Sequence, residues 1–204
     1  TILDEAGAPL SNAQVSYLSG LDETTIATDD YGFFKMEGIQ NKGNAAFLSV
    51  TYPGKFEAFR KFSVVPNQYN YTEIKMLDRT IIGSISADAG GTLVSDDNAS
   101  ITLPKGGIVD SREMAYMGDV SVAMSWIDPS GEDLAQRMIG DLSGLDSEGG
   151  YRSLSSMGML QVELSDANGN ELNIAPGDRA ELKFPIPAEL LSKATSTIPL
   201  WSYN

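Results

Sequence analysis

Short runs of alternating or continuous apolar residues, each bounded by residues that favour turns, recur along almost the whole chain. Gln14–Ser19 and Ala46–Tyr52 are two such runs, and Pro53-Gly54 and Asn168-Gly169 are two such turns. Alternation along a strand places every second side chain on one face of a sheet. Glycine, proline and asparagine supply the backbone dihedral angles that tight turns require. The pattern therefore predicts an all-β chain of the sandwich or barrel type.

Helix content is predicted to be small, because only two segments have helical character. Pro187–Ala194 begins with proline and carries Glu189 near its start and Lys193 near its end, as the helix dipole favours. Glu132–Met138 is the second segment, and the glycines on both sides of it keep it short. We therefore predict at most one or two short helices in an otherwise all-β fold.

The length of 204 residues suits two modules of about 100 residues each. The first series of strand-like runs ends near Leu77, and Ile81 begins a new series. We therefore predict two tandem β-sandwich modules, 1–78 and 79–204. Thr1 opens in the middle of a strand-like pattern, so we also expect the chain to be an interior piece of a longer protein.

The sequence contains neither cysteine nor histidine. Their absence removes disulfides, thiolate nucleophiles, Ser-His-Asp catalysis and most transition-metal sites. Lysine and arginine number 14 against 28 aspartates and glutamates, and the formal charge of -14 repels nucleic acid and anionic lipid surfaces. No run approaches the roughly 18 apolar residues of a spanning helix. We therefore predict a non-enzymatic protein with no cofactor, no nucleic-acid partner and no membrane insertion by this segment.

An acidic turn between two strand-like runs is the most informative motif of the first half. In Thr28–Phe34, Asp29, Asp30 and Gly32 form the predicted turn, and aromatic residues begin a predicted returning strand, Gly32–Met36. Together with Asp4–Leu10 and Ala13–Tyr17, this hairpin resembles the carboxypeptidase regulatory-like domain family. The resemblance implies a transthyretin- or immunoglobulin-type sandwich over Thr1 to about Asp78. It also implies an accessory role, because the peptidase of that family requires histidine ligands that this chain lacks. The acidic turn also fits a calcium interpretation, although hairpin chemistry explains the same residues.

An ordered set of short motifs runs across Arg79–Asn204. They are Gly91–Leu93, Ala99–Val109, Ile127–Pro129, Gly140–Leu142, Ser156–Met159, Asp166–Leu172 and Pro199–Tyr203. In this order they resemble a ZU5-type β-sandwich and the ectodomain region of cartilage intermediate layer proteins and related bacterial surface proteins. In those proteins the last strand continues into a hairpin, so the resemblance implies that this module is truncated after Asn204.

Aromatic residues are the candidate binding residues. Trp201 and Tyr203 take alternate positions of a predicted strand, Ile198–Tyr203, and so share one face. We predict that this face is core, and the alternative is an exposed platform on which sugar rings stack. Tyr151 is the third candidate, beside the glycine-rich stretch Gly140–Gly150, which we expect to be a long surface loop.

The alternating oxygen-bearing residues Asp166, Asn168 and Asn170 are the candidate calcium ligands. The competing interpretation is a hairpin turn, since Asn168-Gly169 separates two strand-like runs, Gln161–Ser165 and Glu171–Ile174. The hairpin interpretation is preferred, and no metal is predicted.

Carboxylates in the glycine-rich stretch are candidates for glycoside hydrolysis, which needs two of them held about 5–10 Å apart in a cleft. They are Asp141, Asp146 and Glu148. Nothing in the sequence supplies a cleft, so a hydrolase is the third hypothesis. The first is a structural or interaction module of a larger exported bacterial surface protein or lipoprotein, with a spacer, docking or adhesion role and another surface protein as partner. The alternative is a carbohydrate-binding module. Either protein is expected outside the cell or in the periplasm.

Overall fold

The computed structural model describes residues 1–19, 22–38, 45–65 and 67–202, and divides them between two compact units. The first unit contains Thr1–Asp78, Ser130–Ser156 and Ala194–Asn204, and the second contains Arg79–Pro129 and Met157–Lys193. The predicted modules, 1–78 and 79–204, divide the chain at one point. In the structure, two later segments, 130–156 and 194–204, also belong to the first compact unit.

The all-β class is confirmed, because strands dominate and the described residues contain two short helices. The strands are β1 (Ile2–Leu3), β2 (Gln14–Ser19), β3 (Asp22–Ala27), β4 (Ala45–Thr51), β5 (Ala58–Ser63), β6 (Ile74–Lys75), β7 (Ile81–Ser86), β8 (Gly91–Val94), β9 (Ser100–Leu103), β10 (Ile108–Asp110), β11 (Asp119–Ile127), β12 (Ser143–Leu145), β13 (Tyr151–Ser153), β14 (Met159–Ser165), β15 (Glu171–Ile174) and β16 (Glu181–Lys183). The helices are α1 (Leu134–Arg137) and a 3-10 helix (Ala188–Lys193). The first lies within the predicted segment Glu132–Met138, and the second lies within Pro187–Ala194.

The first unit is built on an antiparallel sheet in the order β3-β2-β4-β5. Val15 on β2 lies opposite Val50 on β4, and both are fully buried. A short parallel pair, β1 and β6, contributes Ile2 and Ile74 to the same core. Because apolar residues from both sheets share one cluster, burial of their side chains is the main force that holds this unit together.

The segment 130–156 belongs to the first unit through polar contacts. Gly140 extends the sheet beyond β5, because its N–H donates to the Phe59 carbonyl at 2.8 Å. The Arg60 guanidinium donates to the Gln136 carbonyl at 2.7 Å. Lys75 bonds Asp133 at 3.0 Å, and this ammonium group lowers the pKa of the Asp133 carboxyl. These contacts cover one edge strand of the sheet, which otherwise exposes unpaired backbone groups.

The second unit contains a five-stranded sheet, β10-β15-β14-β11-β7, and a three-stranded sheet, β16-β9-β8. Alternate residues of β11, such as Val120, Val122 and Met124, point into the core. Ile101 and Leu103 of β9 enter the same cluster from the smaller sheet. Two sheets that share one apolar layer form a β-sandwich arrangement.

One five-residue aspartate turn recurs in both units. In each copy, with the aspartate counted as residue one, the aspartate N–H donates to the carbonyl of residue five. Residue four donates its N–H to the aspartate carbonyl. The carboxylate also accepts backbone N–H bonds inside the turn, which closes the loop locally. The fourth residue has a positive φ in every copy. The copies begin at Asp4, Asp29, Asp110, Asp146 and Asp166.

Two predicted strands are wrong, and a predicted loop is partly strand. The predicted strand Gly32–Met36 is absent, and in its place the Gly32 carbonyl accepts the Ile2 N–H at 2.8 Å while Phe34 and Met36 pack on the core. Residues 198–202 also form no strand. The glycine-rich stretch Gly140–Gly150 is not a free loop, since β12 lies within it and pairs with β13. The predicted Asn168-Gly169 hairpin is confirmed, because β14 and β15 pair on either side of it.

Candidate functional site

A cleft lies on the outer face of the four-stranded sheet of the first unit. Ala46 and Leu48 of β4 point into the core, so Phe47 between them points outward. Lys61 of β5 lies directly opposite Phe47 in the ladder. This cross-strand pair forms the floor of the cleft.

The wall of the cleft is the β12–β13 hairpin. The two hydrogen bonds between Gly140 and β5 bring the next residue, Asp141, beside Lys61. Leu145 and Tyr151 are cross-strand partners at the closed end of the hairpin. The Asp146 turn closes that end, and Arg152 Nε donates to the Asp146 carboxylate at 2.7 Å.

Three side chains form a closed polar group in the cleft, which we call the polar triad: Lys61, Asp141 and Ser143. The Lys61 ammonium lies 3.2 Å from Asp141 Oδ2 and donates to Ser143 Oγ at 2.9 Å. Ser143 Oγ donates to Asp141 Oδ1 at 2.6 Å. The side chains of Lys61 and Asp141 are 21% and 30% exposed, so each retains an accessible part. The ion pair has no net charge, yet it presents both donors and an acceptor.

Apolar and aromatic side chains surround the polar triad. The Tyr151 ring centroid is 5.5 Å from Lys61 Nζ, a cation–π distance. Tyr151 is 75% exposed, Leu145 is 56% exposed and Phe47 is 41% exposed. The cleft has a volume of about 270 Å³, opens to solvent and is lined by Phe47, Lys61, Asp141, Ser143, Gly144, Leu145 and Tyr151.

The structure brings Trp201 to the same hairpin as Tyr151, but to its other face. A Cβ atom on Gly144 would lie 2.5 and 2.6 Å from two carbons of the Trp201 indole. Successive strand residues point to opposite faces, and the neighbours Ser143 and Leu145 line the cleft. Trp201, which is 40% exposed, therefore supports the hairpin from behind and is not a fully buried core residue. Tyr203 lies outside the described residues.

The candidate calcium ligands occupy one of the aspartate turns, in the second unit. Asp166 Oδ1 accepts the N–H groups of Asn168 and Asn170, each at 2.8 Å. Its Oδ2 accepts from the Asn170 side-chain amide at 2.8 Å. The hydrogen bond from the Asn170 side-chain amide, and then the backbone hydrogen bonds, lower the pKa of the Asp166 carboxyl. The side chains of these residues therefore form hydrogen bonds within the turn. In the described part of the chain, no three acidic side chains lie close enough together to hold a metal ion.

The other carboxylate candidates have separate partners. Asp141 is part of the polar triad, and the Asp146 carboxylate accepts two backbone N–H bonds within its turn. The bond from Gly150, with those from Arg152 and Glu148, lowers the pKa of Asp146. Asp141 and Asp146 therefore take part in separate hydrogen-bond networks.

Sequence reasoning identified Tyr151 but missed Phe47 and Lys61. Their only signal is that both take outward positions of alternating strands, as many solvent-facing residues do. Which residues lie above them depends on how the segment 139–151 docks on β5. Tyr31, a tyrosine of the Asp29 turn, is 72% exposed.

The fold and the cleft together define an all-β protein with an open, aromatic-lined site around a neutral ion pair. No protein-family model, curated protein or solved structure matched this chain. Among the described residues, no helix combines the length and the apolar character needed to cross a membrane.

Proposed function

We propose that the chain is a non-enzymatic interaction module of a larger exported bacterial surface protein or lipoprotein, and that the cleft is its recognition site. The observation that carries the proposal is the exposure of Tyr151, Leu145 and Phe47 around the polar triad. Large apolar side chains that are exposed together at one place on a surface are typical of interaction sites. A docking or adhesion role fits this surface better than a pure spacer role.

The hydrogen bonding in the cleft supports recognition over catalysis. A serine nucleophile needs a neighbouring base that takes its proton. Ser143 Oγ donates to the Asp141 carboxylate, whose negative charge is balanced by the Lys61 ammonium. Lys61 Nζ in turn donates to Ser143 Oγ, so the serine hydroxyl is engaged by both partners. The three side chains are suited to hold a ligand in a fixed orientation.

Site-specific photo-cross-linking tests the proposed recognition site. A benzophenone amino acid replaces Tyr151 in one variant and Tyr31 in a matched control, because both tyrosines are highly exposed and belong to the first unit. The variants are applied to intact cells of the source organism and irradiated. We expect adducts at position 151 well above those at position 31. Equal yields at the two positions, or none at either, would contradict the proposal.

A further inference from the structure

We propose that the cleft binds a neutral glycan, with one sugar ring stacked on Tyr151 and its hydroxyl groups held by the polar triad. This inference rests on the proposed function, since it names the ligand class of that same site.

The charge of the site selects the ligand class. The positive charge of Lys61 and the negative charge of Asp141 cancel each other. A charged ligand would therefore be attracted by one side chain and repelled by the other at a similar distance. A sugar hydroxyl both donates and accepts hydrogen bonds, as the serine hydroxyl does. Two adjacent hydroxyls can therefore accept from the Lys61 ammonium and donate to the Asp141 carboxylate without breaking the pair. The formal charge of -14 on the whole chain further disfavours acidic polysaccharides.

The apolar part of the cleft suits the other face of a sugar ring. Lys61 Nζ lies over one face of the Tyr151 ring, and Tyr151 as a whole is 75% exposed, so the rest of its surface is accessible to a ligand. The C–H groups of a pyranose form a flat apolar face that packs on an aromatic ring. Leu145 extends this surface along the hairpin. The volume of about 270 Å³ is at the lower end for small-molecule sites, which suits one ring of a longer chain.

Calorimetric titration of the intact chain with neutral and acidic oligosaccharides tests the inference. The neutral probes are cello-, xylo-, manno- and N-acetylchito-oligosaccharides, and the acidic probe is oligogalacturonate. The variants are Tyr151→Ala and the matched control Tyr31→Ala, both at exposed positions where the fold is expected to persist. We expect at least one neutral probe to bind, Tyr151→Ala to weaken it about tenfold, and Tyr31→Ala to leave it unchanged.

A second variant tests the polar half of the site. Lys61→Met retains the apolar stem of the side chain but removes all donors and the charge balance of Asp141. We expect neutral-sugar binding to fall about tenfold or more, as loss of a charged hydrogen bond does. Circular dichroism of the variant establishes that it is folded, and a variant that is not folded is replaced by Ser143→Ala, for which we expect a smaller loss.

Several outcomes overturn the glycan assignment. They are the absence of binding to every neutral probe at millimolar concentration, equal binding by Tyr151→Ala and the parent, and tighter binding of oligogalacturonate than of neutral sugars. Cross-linking at position 151 to a protein, with no sugar binding, would remove the glycan and leave the interaction module. Failure of both experiments would remove the proposed function itself.

Discussion

Replacement of Gly32 by alanine should destabilise the first unit far more than replacement of a glycine in an equivalent turn. Gly32 has a φ of 71°, and an added Cβ would lie closer than 3.0 Å to the backbone oxygen of Ile2. Gly7 has a φ of 87° in the Asp4 turn, but an added Cβ there meets nothing within 4 Å. The two positions share the dihedral penalty and differ in the clash, so Gly7→Ala is the matched control.

The magnitude follows from three terms. A left-handed conformation costs alanine about 1–2 kcal/mol, and both variants carry this cost. At Gly32 the strand β1 must also shift, which weakens the bond from Ile2 N–H to the Gly32 carbonyl and the bond from Leu10 N–H to Ile2. Each lost backbone bond costs about 1 kcal/mol, and fully buried Ile2 loses part of its packing. We expect a loss of about 3–5 kcal/mol for Gly32→Ala against about 1–2 for Gly7→Ala.

Urea unfolding followed by tryptophan fluorescence measures this difference. Trp201 belongs to the first unit and Trp126 to the second, so a Trp126→Phe background leaves one reporter in the unit that contains both glycines. The unfolding midpoint should fall for both variants and fall further for Gly32→Ala, with little change in slope. Equal losses for the two alanine variants would refute the clash and the placement of β1 beside Gly32.

Further predictions concern the hairpin support, the aspartate turns and calcium. Gly144→Ala should displace the Trp201 indole, shift its fluorescence to the red and weaken ligand binding at the cleft; unchanged emission would contradict the packing. Trp201→Ala should cost about 2 kcal/mol in a urea titration, less than the roughly 3–5 of a core tryptophan, because the indole is 40% exposed. The pKa values of the Asp110, Asp146 and Asp166 carboxyls are lowered, chiefly by hydrogen bonds from their own turns. Their stabilisation is complete above the unfolded-state pKa of about 3.9 and is lost as pH falls through the lower folded-state values. The urea midpoint of unfolding should therefore decrease as the pH is lowered below about 4. It should decrease less in Asp166→Asn. Millimolar calcium or EDTA should leave the melting temperature unchanged, and a rise with calcium would revive the calcium interpretation.

Features governed by neighbours in sequence were predictable. The Asn168-Gly169 hairpin and the Asp29 turn follow from residues less than six positions apart, because turn geometry depends on local dihedral angles and local hydrogen bonds. The two short helices were also visible, since proline and charges mark the ends of one segment and glycines bound the other. The wrong strand at 198–202 has the same origin, because alternation shows which faces are apolar but not whether a partner strand is present.

The sequence by itself determined the all-β class, the Asp29 and Asn168-Gly169 turns, and the absence of cysteine and histidine side chains. Only the tertiary structure decided that the segment 130–156 packs with the first unit and that Tyr151 and Lys61 meet. Lys61 and Ser143 are 82 residues apart, and their contact depends on the backbone bonds of Gly140 to β5. Such an edge contact uses N–H and C=O groups that every residue carries, so side-chain patterns do not reveal it. The cleft is therefore a property of the folded chain, assembled from residues that look ordinary in the sequence.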